Sequence, residues 1–324
     1  MDARDFTTPY TDLALEATAA VRGDAHTEIS GVRMAEEKYD DVATVTWVEV
    51  LSPLGEQQIG KPIGNYITID APGLRRRNRD LQEQVGKVLV DQLAKLLDLG
   101  ENGSALIVGL GNWNATPDAL GPRVTSKLMV TRHLKDFVPA ELSGGLRSVA
   151  AVSPGVLGLT GIETAEIIMG IVERTKPSVV IAVDALAARN AERIGTTVQL
   201  ADTGINPGSG IGNQRKGLNK KTLGVPVIAI GVPTVVHAAT IAHDTMEALA
   251  AQFEGQKPFF QLFASPAERK QMINEVIPQS VGELIVTPKE IDDLIDDMAK
   301  VIAGALNAVL HTSVQSQELL KYLN

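Results

Sequence analysis

From residue 103 onward the sequence alternates short apolar runs with longer segments of helical periodicity, and no other feature limits the possible folds as strongly. Uninterrupted apolar strands connected through helices are typical of a mostly parallel sheet that is covered on both faces. The sequence therefore predicts an α/β fold with a three-layer αβα sandwich over about residues 100–255. Because aromatic residues make up only 4% of the chain, Val, Ile, Leu and Ala must supply the core. The predicted strands are ALIVGL, RSVAAV, SVVIAV, TTVQLAD and GVPVIAIG.

The segments on either side of this core have a different pattern. Residues 28–70 alternate apolar and polar side chains, which is typical of antiparallel strands with one solvated face. A helix is predicted over about residues 80–97, where leucines and valines recur at helical spacing. Near the C-terminus Thr287, Pro288 and Glu290 form a capping-box pattern before a long apolar helix.

Composition excludes several classes of function. The 324-residue chain has no cysteine, which rules out a disulfide framework, cysteine-ligated zinc and thiol catalysis. A net charge of −9 argues against a surface devoted to nucleic acid, since binding phosphates requires a positive footprint. The sequence shows no signal-peptide pattern and no apolar run of transmembrane length, so we expect a cytoplasmic protein with no membrane partner.

Two acidic residues follow predicted strands of the core. Asp118 lies in the loop of SALIVGLGNWNATPDALGP, and Asp184 comes directly after SVVIAV. Because ligands bind beyond the carboxyl ends of parallel strands, we expect the two carboxylates to meet at that edge of the sheet. A single acid at a strand end is more often a helix cap, but both acids here precede Ala-Leu after an apolar strand.

A pair of carboxylates in one site has a definite chemistry. Each charge disfavours ionisation of the other, so one group keeps a proton while its partner is ionised. Such a pair can activate a water molecule against a peptide carbonyl and protonate the leaving amine. The sequence has no GxSxG nucleophile motif and no P-loop lysine, which would have indicated other chemistries.

His237 is the third polar candidate, because it follows the predicted strand GVPVIAIG and the segment GVPT. None of the five histidines belongs to an HExxH motif. His237 could complete a divalent-metal site with Asp118 and Asp184 if the three converge, whereas a buried or capping histidine is the commoner role. The acid pair and the metal site are therefore alternative hypotheses.

A glycine-rich basic segment over residues 204–221 contains GSGIGN, which is close to a dinucleotide fingerprint. It follows a turn and Pro207 instead of opening a helix directly after a strand, so a loop at the sheet edge is the better interpretation. A non-catalytic αβα module that binds an anion or nucleotide is the alternative from another functional class.

Several long blocks of the chain together resemble the germination protease family, the spore proteases of endospore-forming bacteria. The resemblance covers nearly the whole chain. The blocks are VGLGNWNATPDALGP, SPGVLGLTGIETAEII, IAVDALAARNAERI, DTGINPGSGIGNQRK, GVPVIAIGVPTVV, VTPKEIDDLIDDMAKVIAGALNAVLH and the N-terminal TDLALEA.

The resemblance implies an endopeptidase of the spore core that begins the degradation of small acid-soluble spore proteins at germination. It implies a homotetrameric zymogen that cuts itself between Asp12 and Leu13, so that residues 1–12 are a propeptide and residues 13–324 a single peptidase domain. The catalytic acids of the family match Asp118 and Asp184. No cofactor and no direct nucleic-acid partner are expected.

The same loops are more distantly similar to hydrogenase-maturation endopeptidases, which are αβα sandwiches. Their equivalent acids bind a metal, which keeps the metal-dependent alternative open for Asp118 and Asp184. Where the germination protease family is expected to have Asp after GVPTVV, this chain has His237.

Overall fold

A mixed sheet forms the centre of the fold. The computed structural model describes residues 11–22, 28–100, 103–134, 146–206, 216–252, 276, 279–282 and 284–311. Within these ranges the sheet has nine strands: β1 Val32–Tyr39, β2 Ala43–Val50, β3 Gly64–Asp70, β4 Ala105–Gly109, β5 Val149–Val152, β6 Val179–Ala188, β7 Thr197–Ala201, β8 Val227–His237 and β9 Ile285–Val286.

Helices connect and cover these strands. The helices in the described ranges are α1 Ala14–Arg22, α2 Pro53–Ile59, α3 Arg79–Leu96, α4 Leu120–Thr125, α5 Leu157–Thr160, α6 Thr164–Thr175, α7 Lys220–Leu223, α8 Ala238–Gln252, α9 Gln279–Gly282 and α10 Ile291–Leu310. None of them combines the length and the apolar character needed to cross a bilayer.

The strand order is β1-β2-β3-β7-β8-β6-β4-β5, and β9 pairs with β8. The run β8-β6-β4-β5 is parallel. The N-terminal strands are antiparallel, and β3 pairs with β7, so they extend the same sheet instead of forming a separate unit. The predicted fold class, an α/β sandwich with N-terminal antiparallel strands and a long C-terminal helix, is confirmed.

Helices lie on both faces of the sheet. On one face α3, α4 and α10 share the largest apolar cluster with β4, β6 and β8. On the other face α6 and α7 pack on the alternate residues of β4 and β6, while α1 and α2 pack on β2 and β3. Side chains that alternate along each strand are thus buried on both faces of the sheet, as the continuous apolar strands predict.

The C-terminal helix α10 is an integral part of the fold. Ile295, Met298, Ile302 and Leu306 are buried at helical spacing against α3 and α4. Each such side chain stabilises the fold by about 1.5–3 kcal/mol when it is fully buried. Because several such side chains are buried, α10 is part of the main core, and its removal would strongly destabilise the fold.

The predicted capping box does not form. Helix α10 begins at Ile291 after Glu290, and Thr287 lies outside it. The Thr287 hydroxyl donates instead to the carbonyl oxygen of Thr234, at 2.9 Å, and so ties the start of the helix to β8. A tertiary hydrogen bond has replaced the local cap.

Other predicted boundaries need correction. Strand β6 does not end before Asp184 but continues through it to Ala188, and a short 3-10 turn over Ala191–Arg193 follows. Strand β8 likewise runs to His237, so the following helix, which the sequence pattern predicts from Val235, starts at Ala238. Strand β7 runs antiparallel to β8. Residues 1–10 of the predicted propeptide and residues 207–215 of the glycine-rich segment lie outside the described ranges.

Candidate active site

Asp184 lies in the interior of β6, and only 5% of its surface is exposed. Burial raises the pKa of this carboxyl group well above its usual value, and the negative charges of Asp118 and Asp12 raise it further. A 2.9 Å hydrogen bond from the Ala185 N–H to Asp184 Oδ1 acts in the opposite direction. Asp184 therefore holds its proton more strongly than an exposed aspartate does.

Asp118 ends a 3-10 turn, Thr116–Asp118, in the loop after β4. Gly111 makes this loop possible: its φ is +109°, and a Cβ there would lie 2.0 Å from the Asp118 carbonyl oxygen. The next residue, Asn112, donates its N–H to both the carbonyl oxygen and Oδ2 of Asp118, at 3.0 and 2.9 Å. Such a hydrogen bond favours the ionised form of a carboxylate.

The two predicted acids lie close to each other. The turn that carries Asp118 packs against β6 and β8, and the charge of Asp118 is the second-largest cause of the raised pKa of Asp184. The environments of the two groups differ, since Asp184 is buried within the sheet and Asp118 is hydrogen-bonded in a partly exposed loop. This difference is what an acid–base pair requires.

His237 lies apart from the two acids. It is the last residue of β8 and pairs with Ile285 of β9, whereas Asp184 is in register with Gly231. Six residues of extended strand separate His237 from Gly231, which corresponds to about 20 Å. The described residues contain no group of three or more His, Cys, Asp or Glu side chains placed to hold a metal ion. The donors around Asp118 and Asp184 thus do not fit the metal site of the alternative hypothesis.

The N-terminal segment lies on the sheet beside Asp184. The N–H of Asp12 donates to the Ala187 carbonyl oxygen at 3.1 Å, and the N–H of Ala187 donates to Asp12 Oδ2 at 2.9 Å. The next side chain, Leu13, is fully buried in an apolar cluster with Leu186 and Ile194. The bond between Asp12 and Leu13, which the family resemblance implies is the autocleavage site, is therefore held against the part of β6 that follows Asp184.

Glu16 anchors the same segment from the first turn of α1. Its buried carboxylate accepts hydrogen bonds from the N–H groups of Arg189 and Asn190, at 2.7 and 3.1 Å. It also forms an ion pair with Arg193 Nε at 3.2 Å and accepts from the Thr11 hydroxyl. These contacts fix the entry of α1 onto the end of β6.

Two further side chains contact the Asp12 carbonyl oxygen. Lys61 Nζ donates to it at 2.9 Å, and Gln199 Nε2 donates to it at 3.1 Å. Burial lowers the pKa of Lys61, while the charges of Asp12 and Glu16 oppose that effect. Neither residue was predicted from the sequence.

A signal for Gln199 was present in the sequence. It is the one polar side chain with a long reach in the strand TVQLA, and all five residues of that strand are buried. An amide in such a strand needs a partner, because an unpaired polar group in a core is costly. Lys61 gave no comparable signal, since one lysine between a glycine and a proline is ordinary in a surface turn.

Comparison with known proteins identifies the family of the chain. A family model described as germination protease matches residues 10–259 and 262–323. The germination protease of Caldanaerobacter subterraneus is 49% identical over 320 residues, which cover 97% of this chain and 98% of that protein. That of Clostridium tetani is 46% identical, covering 97% and 99%, and that of Bacillus cereus is 41% identical, covering 96% of each.

Among solved structures, a NiFe hydrogenase maturation protease, HycI from Thermococcus kodakarensis, is similar at 19% identity and a TM-score of 0.33. The match covers 66% of this chain and 97% of that protein, and a likeness this remote carries no functional argument. The sequence relatives and the family model, in contrast, extend over nearly the whole chain. This chain is thus an endopeptidase that belongs to the germination protease family.

Proposed function

We propose that the protein degrades small acid-soluble spore proteins in the cytoplasm of the spore core and that Asp118 and Asp184 carry out the chemistry. We further propose that it is made as a zymogen that cuts itself between Asp12 and Leu13. The observation that supports this best is the position of the Asp12–Leu13 bond: Asp12 is hydrogen-bonded to β6 three residues beyond the buried acid Asp184, and its charge raises the pKa of that acid.

The environments of the two acids suggest how they divide the reaction. Asp118, whose ionised form the Asn112 N–H stabilises, accepts a proton from the attacking water. The water oxygen adds to the Asp12 carbonyl carbon, and the bond to the Leu13 nitrogen breaks. Asp184, which keeps its proton because it is buried beside like charges, gives that proton to the leaving nitrogen. The products are a new carboxyl group and a new amino terminus.

Replacement of the acids tests the assignment. Asp118→Asn and Asp184→Asn should each abolish cleavage of a purified small acid-soluble spore protein, followed by gel electrophoresis and mass spectrometry. Asp91→Asn, at an exposed acid on α3, should retain wild-type activity as the matched control. Full activity of either site variant would overturn the proposed mechanism.

Removal of metal ions separates this mechanism from the metal-dependent alternative. The acid pair needs no third ligand, and the donors around it do not fit a metal site. We therefore expect full activity after exhaustive chelation, with metal analysis of the treated protein as the check. Activity that chelation removes and one divalent ion restores would contradict the proposal.

We also propose that the protein is a homotetramer, as expected for its family. Light scattering coupled to size-exclusion chromatography should then give about four times the 34.5 kDa mass of one chain. A monomeric mass would contradict this assembly and would leave the proposed chemistry unaffected.

A further inference from the structure

We propose that Lys61 and Gln199 are catalytic residues that bind the carbonyl oxygen of the bond to be cut and stabilise the negative charge that develops on it. The inference rests on the proposed function, because it takes Asp12–Leu13 as the scissile bond. It adds the electrophilic half of the site, which an acid pair alone does not supply.

The first support is the convergence of two donors on a single oxygen atom. Lys61 Nζ lies 2.9 Å and Gln199 Nε2 3.1 Å from the Asp12 carbonyl oxygen. When water adds to the carbonyl carbon, this oxygen becomes an anion, and preorganised donors at such distances are what an oxyanion site requires. The cationic donor, Lys61, adds charge to this stabilisation.

The second support is the fixed orientation of the Gln199 amide. Gln199 Oε1 accepts a 2.6 Å hydrogen bond from the N–H of Ala14, which can only donate. Nε2 must therefore be the atom that faces the Asp12 oxygen, and the amide cannot turn without losing a buried hydrogen bond. The side chain holds the residues on both sides of Leu13.

The third support is the register of the sheet. Gln199 on β7 is paired with Gly231 on β8, and Gly231 is paired with Asp184 on β6. Side chains in register lie on the same face of a sheet, so Gln199 and Asp184 occupy one row with a glycine between them. Asp12 contacts both ends of this row. Its carbonyl oxygen accepts a hydrogen bond from Gln199, and the charge of its carboxylate raises the pKa of Asp184.

Lys61 is held in place by its neighbours in the chain. Helix α2 ends at Gly60, whose N–H donates to the Glu56 carbonyl oxygen at 2.8 Å. The carbonyl oxygen of Pro62, on the other side of Lys61, accepts from the Tyr66 hydroxyl at 2.8 Å. These anchors limit the backbone freedom of Lys61, and a second hydrogen bond, from Nζ to the Thr11 carbonyl oxygen at 3.2 Å, holds its ammonium group in place before the reaction begins.

The rate at which the full chain cuts itself tests the proposal. Intact-mass time courses should show processing that is about 10²–10³-fold slower in Lys61→Met and in Gln199→Leu, the usual cost of losing one oxyanion donor. Lys61→Arg should recover part of the rate because it restores a cationic donor. The matched controls are Lys87→Met, at an exposed lysine, and Gln92→Leu, at a buried glutamine on α3; both should process at the wild-type rate.

Hydrogen exchange distinguishes a chemical role from simple docking. Exchange of residues 11–16 is measured in an Asp184→Asn background, where the segment stays attached, with and without Lys61→Met or Gln199→Leu. The proposal expects protection to fall by a much smaller factor than the processing rate. An unchanged rate, or protection that falls by as large a factor as the rate, would overturn it.

The location of the cut separates this inference from the proposed function. If the wild-type chain is cut at another bond, or is not cut, the proposed processing step fails. If it is cut between residues 12 and 13 at the same rate in all variants, only the role of Lys61 and Gln199 fails. Should Gln199→Leu prove unstable in thermal unfolding, Lys61→Met carries the test, because Lys61 lies in a partly exposed turn.

Discussion

At the scale of single residues, the candidate site contains the carboxyl group of Asp184, whose ionised form is disfavoured by burial. Asp184 is surrounded by the apolar residues of β6 and lies near the charges of Asp118 and Asp12. A solvent-exposed polar side chain would lower the free energy of unfolding less than a buried carboxylate does. The buried Asp184 therefore lowers the stability of the fold when it ionises, and this effect can be measured.

Stability should respond to pH through Asp184. Its folded-state pKa is raised above the usual 3.8, so between these two values the native chain holds a proton that the unfolded chain has lost. Stability therefore falls as pH rises through this window, by about 1.4 kcal/mol for each unit of the shift. The asparagine of Asp184→Asn cannot ionise, so the stability of this variant should not fall in the same way as pH rises.

Calorimetric melting temperatures from pH 4 to 8 provide the check. The variant and the wild type should melt at similar temperatures near pH 4, and the advantage of Asp184→Asn should grow as pH rises. If the difference in melting temperature does not change over this range, the pKa of Asp184 is not raised in the folded protein.

Gly111 is the residue that shapes the loop of Asp118. Gly111→Ala would place a Cβ 2.0 Å from the Asp118 carbonyl oxygen at a φ of +109°, so the loop must move. We expect activity on protein substrate to fall at least ten-fold, with a stability loss of about 1–3 kcal/mol. Gly86→Ala is the matched control, since nothing lies within 4 Å of a Cβ there, and it should stabilise α3 by up to about 1 kcal/mol. Wild-type activity of Gly111→Ala would contradict the role given to this loop.

Asp118 and Asp184 were singled out by a local signal, an acid after an apolar run, and the structure brings them close enough for the charge of Asp118 to raise the pKa of Asp184. That the two acids are catalytic stays a prediction. Lys61 and Gln199 escaped detection because their importance comes from contacts with Asp12, which are 49 and 187 positions away in sequence. Spacing along one chain cannot reveal such contacts.

At the scale of elements, the start of α1 anchors the bond that we propose is cut. The buried Glu16 carboxylate has partners on three residues after β6, so removing it leaves those donors unpaired. Glu16→Ala should loosen the segment and slow self-processing by about ten-fold or more, since breaking a buried pair costs about 3–5 kcal/mol. Glu83→Ala, at a surface pair on α3, is the control. Equal processing rates in the two variants, followed by intact mass, would contradict the anchoring role.

Element boundaries were the least predictable part of the fold. The apolar pattern identified the strands of the parallel core, but it placed Asp184 after a strand that in fact continues to Ala188. The strand continues because β8 supplies hydrogen-bonding partners beyond Asp184, with a register shift between Leu186 and Ala187. In the same way Thr287 bonds to Thr234 of β8 instead of capping α10. Tertiary pairing decided both outcomes.

At the scale of the whole molecule, the chain binds its own N-terminal segment on β6, next to the proposed site. If the Asp12–Leu13 bond is the one that is cut, processing should therefore be intramolecular. We expect a first-order rate constant that stays the same over a hundred-fold range of protein concentration, measured by intact mass. A rate constant that rises in proportion to concentration would show that one molecule cuts another.

The central claim is that Asp118 and Asp184 cut the bond between Asp12 and Leu13. Its most direct test is the intact mass of freshly purified full chain, incubated over time, for wild type, Asp118→Asn and Asp184→Asn. The wild type should lose the mass of residues 1–12 and acquire Leu13 as its amino terminus, while both variants keep their full mass. Processing at that bond in either variant would contradict the claim.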